Sequence, residues 1–231
     1  MRICLIFAMR AEAQPVIDYL GLKEQEGFFN PLPCRLFSDS PQKDSLFLVL
    51  NGVDHNRDLI GCEAAAVTTQ VAIQKLQPDL VISCGTCGGW QRYGARVGQT
   101  YIADGVMFHD RRVPGDNEWD TQGLGNYKVW EDSWRIAEAL GLPMGKVTTG
   151  SSFDLSAEED ALIDANGGRL KEMEGAAVAF VCSLYKVPVM LVKAVTNLRD
   201  AEEEDIDSFH ENLKRASLSL RETLVKIISL C

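Results

Sequence analysis

The sequence predicts an α/β protein whose mostly parallel central sheet is covered by helices on both faces. Short runs rich in Val, Ile and Leu alternate with longer stretches of helical periodicity, as in strands joined by crossover helices. The chain has 231 residues, of which 46% are hydrophobic. Because this length suits one α/β core without a metal or disulfide staple, we expect a single domain over residues 1–231.

The individual elements follow from the spacing of the apolar residues along the chain. Apolar runs predict strands at residues 2–8, 45–50, 79–84, 99–106, 145–150 and 187–196. Helical patterns predict helices at residues 58–76, 132–140, 157–165, 173–185 and 206–229. Pro188 ends the helix before it and opens the last strand. Ligands of such sheets bind at the carboxyl ends of the strands. We therefore expect the site in the strand-exit loops, at residues 8–12, 51–54, 85–90, 150–155 and 196–200.

Charge and composition exclude several classes of partner. The chain has 33 acidic and 23 basic residues, for a net charge of −10. Nucleic-acid binders concentrate lysine and arginine, so we expect no nucleic-acid partner, whereas a small molecule is compatible with this charge. No apolar run approaches the roughly 20 residues of a membrane span, so we expect no membrane partner.

The compartment is predicted from the N-terminus and the cysteines. Arg10 and Glu12 interrupt the first apolar run, which therefore indicates a strand and not a secretory signal. The seven cysteines are odd in number and mostly lie in apolar segments, as expected of buried free thiols in a reducing compartment. We expect a cytoplasmic protein.

A glycine-rich segment, Gly85-Thr86-Cys87-Gly88-Gly89, follows the predicted strand at 79–84. Its glycines would let the backbone approach a ligand closely, although glycine after a strand also forms ordinary turns. Cys84 and Cys87 have a metal-ligand spacing, but no second pair and no nearby histidine completes four ligands. We expect no metal.

Carboxylates lie near several predicted strand ends. Capping and the helix dipole are sufficient to explain Glu172. Glu174 precedes a stretch that must be buried, so its carboxylate needs donors, which a ligand diol would supply. Glu12 could be an ordinary first-turn helix acid. The convergence of these groups with the pair Thr196-Asn197 at one edge of the sheet favours a binding site instead.

Taken together, the motifs resemble the nucleoside phosphorylase and nucleosidase superfamily, specifically the 5′-methylthioadenosine/S-adenosylhomocysteine nucleosidases of plant type. The resemblance spans nearly the whole chain. It implies a three-layer αβα sandwich, a homodimer, no cofactor, and hydrolysis of the N-glycosidic bond of a purine nucleoside. The segments that carry it are Ala8-Met9-x-x-Glu12, Gly85-Thr86-Cys87-Gly88-Gly89, Phe108-His109-Asp110-Arg111-Arg112, Glu172-Met173-Glu174-Gly175-Ala176 and Lys193-Ala194-Val195-Thr196-Asn197.

The resemblance also implies roles for individual residues. Glu12 would be the base that activates water, assisted by the hydroxyl of Thr86. Glu174 and Met173 would hold the ribose. The remaining substrate contacts would come from a stacking side chain, Phe153, from the backbone near Asp154, and from Met9, Cys87, Gly88 and Glu172.

Water is favoured over phosphate as the nucleophile. Phosphorylases hold the phosphate dianion with arginines, because guanidinium groups bind it in a bidentate manner. In hexameric phosphorylases, which this chain resembles less, an arginine lies two residues before the glycine-rich segment. Ser83 occupies that position here, and a Gly-Asp-Pro-x-Arg motif is absent near the N-terminus.

Asn197 departs from the nucleosidase pattern, in which an aspartate at this position acts as the general acid at N7 of the purine. An amide can hydrogen-bond to N7 but cannot transfer a proton to it. Three explanations remain open. In the first, the protein is a catalytically weakened or inactive nucleoside-binding variant. In the second, its substrate is a 6-oxopurine nucleoside, as in futalosine hydrolases and trimeric phosphorylases. In the third, Asp200 replaces the missing acid.

Overall fold

A ten-stranded, mostly parallel sheet forms the centre of the protein. The computed structural model describes residues 1–38, 46–113, 117–201 and 206–231. The strands within these residues are β1 (Ile3–Phe7), β2 (Lys23–Glu24), β3 (Arg35–Ser38), β4 (Leu46–Leu50), β5 (Val53–Asp54), β6 (Arg57–Asp58), β7 (Leu80–Gly89), β8 (Thr100–Ile102), β9 (Val106–Phe108), β10 (Lys146–Thr149), β11 (Gly168–Glu172) and β12 (Val189–Leu198). The helices are α1 (Arg10–Leu20), α2 (Cys62–Leu76), α3 (Asn117–Leu124), α4 (Ser133–Leu140), α5 (Ala157–Ala165), α6 (Gly175–Tyr185) and α7 (Ile206–Leu230).

Strand β7 lies at the centre of the sheet and pairs with three other strands. It pairs in parallel with β1 on one side and with β12 on the other, while its last residues pair antiparallel with β11. The strand order is β2-β3-β4-β1-β7-β11-β10-β9, with β12 on β7 and β8 on β12. The small sheet of β5 and β6 lies apart from this path. The carboxyl ends of β1, β7 and β12 therefore meet at one edge.

Helices pack on both faces of the sheet because the buried strands are apolar on both sides. In β1, Cys4 and Ile6 belong to one hydrophobic cluster and Ile3, Leu5 and Phe7 to the other, as the two-residue period of a strand requires. Helices α2 and α6 cover the first cluster, and α1, α4 and α7 cover the second. The predicted three-layer arrangement with a mostly parallel sheet is confirmed.

Two predicted boundaries near the site are wrong. The prediction ended the strand at residue 84 and treated 85–90 as a loop, whereas β7 continues to Gly89 and pairs with β12 from Gly85 to Gly89. Glycine weakens an isolated strand, but here a neighbouring strand on either side supplies the hydrogen bonds. The predicted exit loop at 196–200 is likewise strand as far as Leu198.

Other differences concern a divided strand and several elements that were not predicted. The strand predicted at 99–106 is two strands, because β8 pairs with β12 and β9 pairs with β10. The helix predicted at 173–185 begins at Gly175, and the preceding β11 was not predicted. Neither were β2, β3, β5, β6, α1 and α3. Within the described part of the chain, no helix combines the length and apolarity needed to cross a membrane.

Candidate active site

A cavity of about 250 Å³ lies at the carboxyl ends of the central strands. All predicted site residues except Asp154 line it. They are Met9, Glu12, Thr86, Cys87, Gly88, Phe153, Glu172, Met173, Glu174 and Asn197. Ala8, Ile60, Lys171 and Arg199, to which the sequence analysis assigned no role, line the cavity too. Strand β7 forms its floor, and the ends of β1, β11 and β12 bring the remaining side chains to it.

Glu12 lies in the first turn of α1, directly after β1, and is only 3% exposed. Its Oε1 accepts hydrogen bonds from the Thr86 backbone N–H at 2.7 Å and from the Thr86 hydroxyl at 2.6 Å. A Cβ at Gly85 would lie 3.3 Å from Glu12 Oε2, so glycine leaves room for the carboxylate. Burial raises the pKa of Glu12 above its ordinary value, against the effect of these hydrogen bonds. Glu12 is therefore a fixed carboxylate of increased basicity.

A buried ion pair supports this end of the cavity. Lys193 Nζ lies 2.9 Å from Glu172 Oε2, and both side chains are 2% exposed. Glu172 also accepts hydrogen bonds from the backbone N–H of Gly175 and from the Thr149 hydroxyl. Burial alone would raise the pKa of Glu172, but Lys193 and these donors lower it below its usual range. Glu172 thus caps α6, as its sequence position suggested, and is held ionised.

Glu174 is hydrogen-bonded at one of its two carboxylate oxygens. Its Oε1 accepts a hydrogen bond from the Gly61 backbone N–H at 2.7 Å. Its Oε2 has no donor among the described residues. Burial and the neighbouring charge of Glu172 raise the pKa of Glu174 to about 7. The expected need for donors is thus met at only one oxygen, and a ligand hydroxyl can serve the other.

The cavity lining also combines an aromatic ring with cationic side chains. Phe153 is 64% exposed and lines the cavity. Lys171 Nζ donates to the carbonyl oxygens of Ser152 at 2.5 Å and Phe153 at 3.3 Å. The guanidinium carbon of Arg199 lies 6.0 Å from the centre of the Phe153 ring. A flat ligand could stack on Phe153 with these cations beside it.

Asn197 also lines the cavity and is the second-last residue of β12. The Thr196 hydroxyl lies 3.1 Å from Asn197 Oδ1 and 3.2 Å from the Cys87 carbonyl oxygen, either of which can accept its hydrogen. The Asn197 amide N–H₂ has no acceptor among the described residues and remains a donor. Asp200 does not point into the cavity, because its carboxylate accepts hydrogen bonds from the backbone N–H of Gln91 at 2.6 Å and Arg92 at 2.9 Å. Asp200 is therefore unavailable as a replacement acid.

The mostly parallel sheet and the cavity at its carboxyl edge are those of an α/β protein that binds a small molecule. The chain belongs to the phosphorylase superfamily, whose family model matches residues 2–229. The resemblance noted from the sequence motifs is thereby confirmed.

Within that family, nucleosidases are among the most similar proteins. The chain is 36% identical over 231 residues to the 5′-methylthioadenosine nucleosidase of Arabidopsis thaliana, with 98% of this chain and 86% of that protein covered. It is also 36% identical over 232 residues to a 5′-methylthioadenosine/S-adenosylhomocysteine nucleosidase of the same plant, covering 98% and 90%. The apo structure of an Arabidopsis 5′-methylthioadenosine nucleosidase aligns with a TM-score of 0.92 at 35% identity, covering 99% of this chain and 95% of that one.

Two charged side chains at or beside the cavity were given no role by the sequence analysis, for different reasons. Lys193 is a lone cation inside an apolar strand, and a charge in such a run signals a buried partner. That signal was present in the sequence. Arg199 follows β12 in a polar segment that looks solvated, and nothing in the pattern of neighbouring residues distinguishes it.

Proposed function

We propose that this protein hydrolyses the N-glycosidic bond of purine nucleosides, with 5′-methylthioadenosine and S-adenosylhomocysteine as its best candidate substrates. The observation that carries this proposal is that Glu12, Glu174 and Phe153 line one cavity. The nucleosidase names of the Arabidopsis relatives support the choice of substrate.

The arrangement suits attack by water on the anomeric carbon. Thr86 fixes the Glu12 carboxylate, so that it can take a proton from a water molecule as that water attacks C1′. Glu174 Oε2 would accept a hydrogen bond from a ribose hydroxyl. The sugar becomes oxocarbenium-like as its bond to N9 breaks, and nearby carboxylates stabilise the positive charge. The purine would stack on Phe153.

Charge at the sugar end favours water over phosphate. Glu12, Glu172 and Glu174 come together there, and Lys193 is already paired with Glu172. A phosphate dianion would be repelled by this group, because the effective dielectric of a partly closed site screens charges weakly. A neutral water molecule pays no such penalty.

A 6-oxopurine substrate is the second candidate. The amide N–H₂ of Asn197 has no acceptor among the described residues, so it is a donor that can face the base. A donor in that place suits an acceptor such as O6 or N7 of a 6-oxopurine. The pair 5′-methylthioadenosine and 5′-methylthioinosine distinguishes the candidates, because they differ only at C6.

The test of function is base release measured by chromatography, with and without phosphate, from 5′-methylthioadenosine, S-adenosylhomocysteine, 5′-methylthioinosine, inosine and futalosine. We expect release in the absence of phosphate and its loss in Glu12→Gln. Glu138→Gln, on the exposed face of α4, is the matched control and should keep full activity. Release that requires phosphate would refute hydrolysis. Substrate binding without any turnover would instead identify an inactive variant.

Three further properties remain proposals. We infer that residues 1–231 form one domain, since both apolar clusters share a single sheet. The cytoplasm remains the predicted compartment. A homodimer is supported by exposed apolar side chains on α6, where Phe180 is 39% and Leu184 is 64% exposed. Light scattering of Leu184→Glu against the wild type tests the homodimer, and an unchanged mass would refute this surface as the interface.

A further inference from the structure

Arg199 carries a charge at the cavity that none of the roles above uses. It follows β12, and its backbone N–H donates to the Gly89 carbonyl at 2.8 Å, which fixes its position. The side chain packs over Gly88, where a Cβ would lie only 2.6 Å from Arg199 Cδ. The same point lies 3.5 Å from Asn197 Oδ1. Gly88 thus makes room for Arg199 beside Asn197, at the end of the cavity that holds Phe153.

The guanidinium group of Arg199 has unused hydrogen-bonding capacity. Its Nε is buried and has no hydrogen-bond partner among the described residues. The nearby carboxylate of Asp160 is taken by Arg92 at 2.8 Å and by the Trp90 indole N–H at 2.9 Å. The terminal N–H₂ groups of Arg199, which lines the cavity, likewise have no hydrogen-bond partner among the described residues. They are therefore the donors that an acceptor atom of a ligand can reach.

The spacing along β7 matches the two halves of a nucleoside. Thr86, which holds Glu12, and Gly88, which lies under Arg199, are two residues apart and on the same face of the strand. Two residues of strand span roughly 7 Å. A sugar beside Glu12 would therefore place its base near Arg199, and the ring of Phe153 at 6.0 Å gives that base a surface on which to stack.

We propose that Arg199 is a catalytic residue that stabilises the departing purine by donating a hydrogen bond to its imidazole nitrogen N7. This inference rests on the hydrolase function proposed above. As the C1′–N9 bond breaks, its electron pair passes to the purine, whose negative charge spreads over N7 and N9. The oxygen of water bonds to C1′, and the proton of that water passes to Glu12. Arg199 keeps its own protons, and the purine anion takes one from solvent.

This assignment explains how Asn197 is tolerated. A fixed positive charge aimed at developing negative charge lowers the barrier without transferring a proton. An aspartate at position 197 would lie beside the guanidinium group and pair with it. Arg199 and a neutral neighbour are therefore a consistent combination for either an adenine or a 6-oxopurine base, because both carry N7.

Kinetics of Arg199→Met test the catalytic role. We expect kcat for 5′-methylthioadenosine to fall by about 10²–10³, the loss typical of removing one preorganised donor, while KM changes by less than about fivefold. Arg199→Lys should retain part of the rate, since it keeps the charge. The matched control is Arg135→Met, an exposed arginine of α4 that pairs with Asp132, and it should match the wild type. A loss of kcat smaller than about threefold in Arg199→Met overturns the proposal.

Binding of the free base tests the N7 contact independently of turnover. By calorimetry the wild type should bind adenine at least about tenfold tighter than 7-deazaadenine, and Arg199→Met should lose this preference. A wild type that cleaves no nucleoside would refute the hydrolase function, yet this measurement would still decide the contact. Equal affinity of the wild type for the two bases, or an unchanged preference in Arg199→Met, overturns it.

Discussion

Replacing Lys193 with methionine should destabilise the protein more than any substitution of a surface lysine. Lys193 is buried, and its Nζ lies 2.9 Å from Glu172 Oε2. Methionine has a similar length and keeps the packing of β12, but it removes the positive charge that stabilises Glu172 and Glu174. The variant therefore leaves acidic groups in the interior without a counter-ion.

The size of the effect follows from that burial. Removing one partner of a buried pair costs about 3–5 kcal/mol, because the other charge stays desolvated. For a chain of this size, about 1 kcal/mol lowers the melting temperature by roughly 2–4 °C, which gives a drop of roughly 6–20 °C. The double variant Lys193→Met/Glu172→Gln should recover about half or more of the loss, because glutamine can still accept from Gly175 and no unpaired charge of Glu172 remains.

Urea unfolding at pH 8 and pH 5.5 measures these differences in the free energy of unfolding. The control is Lys214→Met, on the exposed face of α7, whose free energy of unfolding should lie within about 0.5 kcal/mol of the wild type. In the wild type, Lys193 lowers the pKa of Glu172, so the stabilising pair is present at both pH values. Without Lys193, burial raises the pKa of Glu172, and the loss should be larger at pH 8 than at pH 5.5. The reasoning is refuted if Lys193→Met costs less than about 1 kcal/mol, or if the double variant is no more stable than the single one.

Three other changes probe the same structure. Glu12→Gln should reduce kcat by about 10²–10⁴ but raise the melting temperature at pH 8. Burial raises the pKa of Glu12, so its ionised form lowers the stability of the protein above that pKa. Equal melting temperatures of the variant and the wild type in calorimetry would contradict this. The profile of kcat/KM against pH should fall as the pH drops through about 7, where Glu174 takes up a proton. Glu174→Gln should shift the midpoint of this fall. A midpoint that does not move excludes Glu174 as the titrating group. Gly52→Ala should lower the free energy of unfolding, measured in urea, by at least about 3 kcal/mol, since φ is +96° and the new Cβ would lie 2.0 Å from the Pro33 carbonyl oxygen. Gly141→Ala, where φ is +62° but the space is open, should lower it by about 1–2 kcal/mol.

The parts of the fold that the sequence predicted are those set by local periodicity. The helix predicted at 157–165 coincides with α5, which begins at a capping box formed by Ser156 and Glu159. The strand predicted at 2–8 contains β1, whose side chains are buried on both faces. In each case the residues that decide the element lie within the element or next to it.

The parts that sequence reasoning missed depend on contacts between distant segments. Residues 85–89 are a strand only because β12 and β11 flank them, and no local pattern of glycines conveys this. The placement of the candidate site residues was foreseen because the resemblance supplied Glu12, Thr86 and Glu174 together. Arg199 was not foreseen because its packing over Gly88, more than 100 positions earlier in the chain, becomes visible only in three dimensions.

The distribution of charge in the cavity gives the strongest physical reason to connect these residues with one reaction. Burial raises the pKa of Glu12, burial and the charge of Glu172 raise that of Glu174, and burial lowers the pKa values of Lys171 and Arg199. Each of these cavity groups thus carries a charge that its surroundings disfavour. A glycosidic bond that breaks among them develops positive charge on the sugar and negative charge on the base, which would relieve both the acidic and the basic groups. The transition state is therefore stabilised more than the neutral nucleoside, and this difference is what accelerates a reaction.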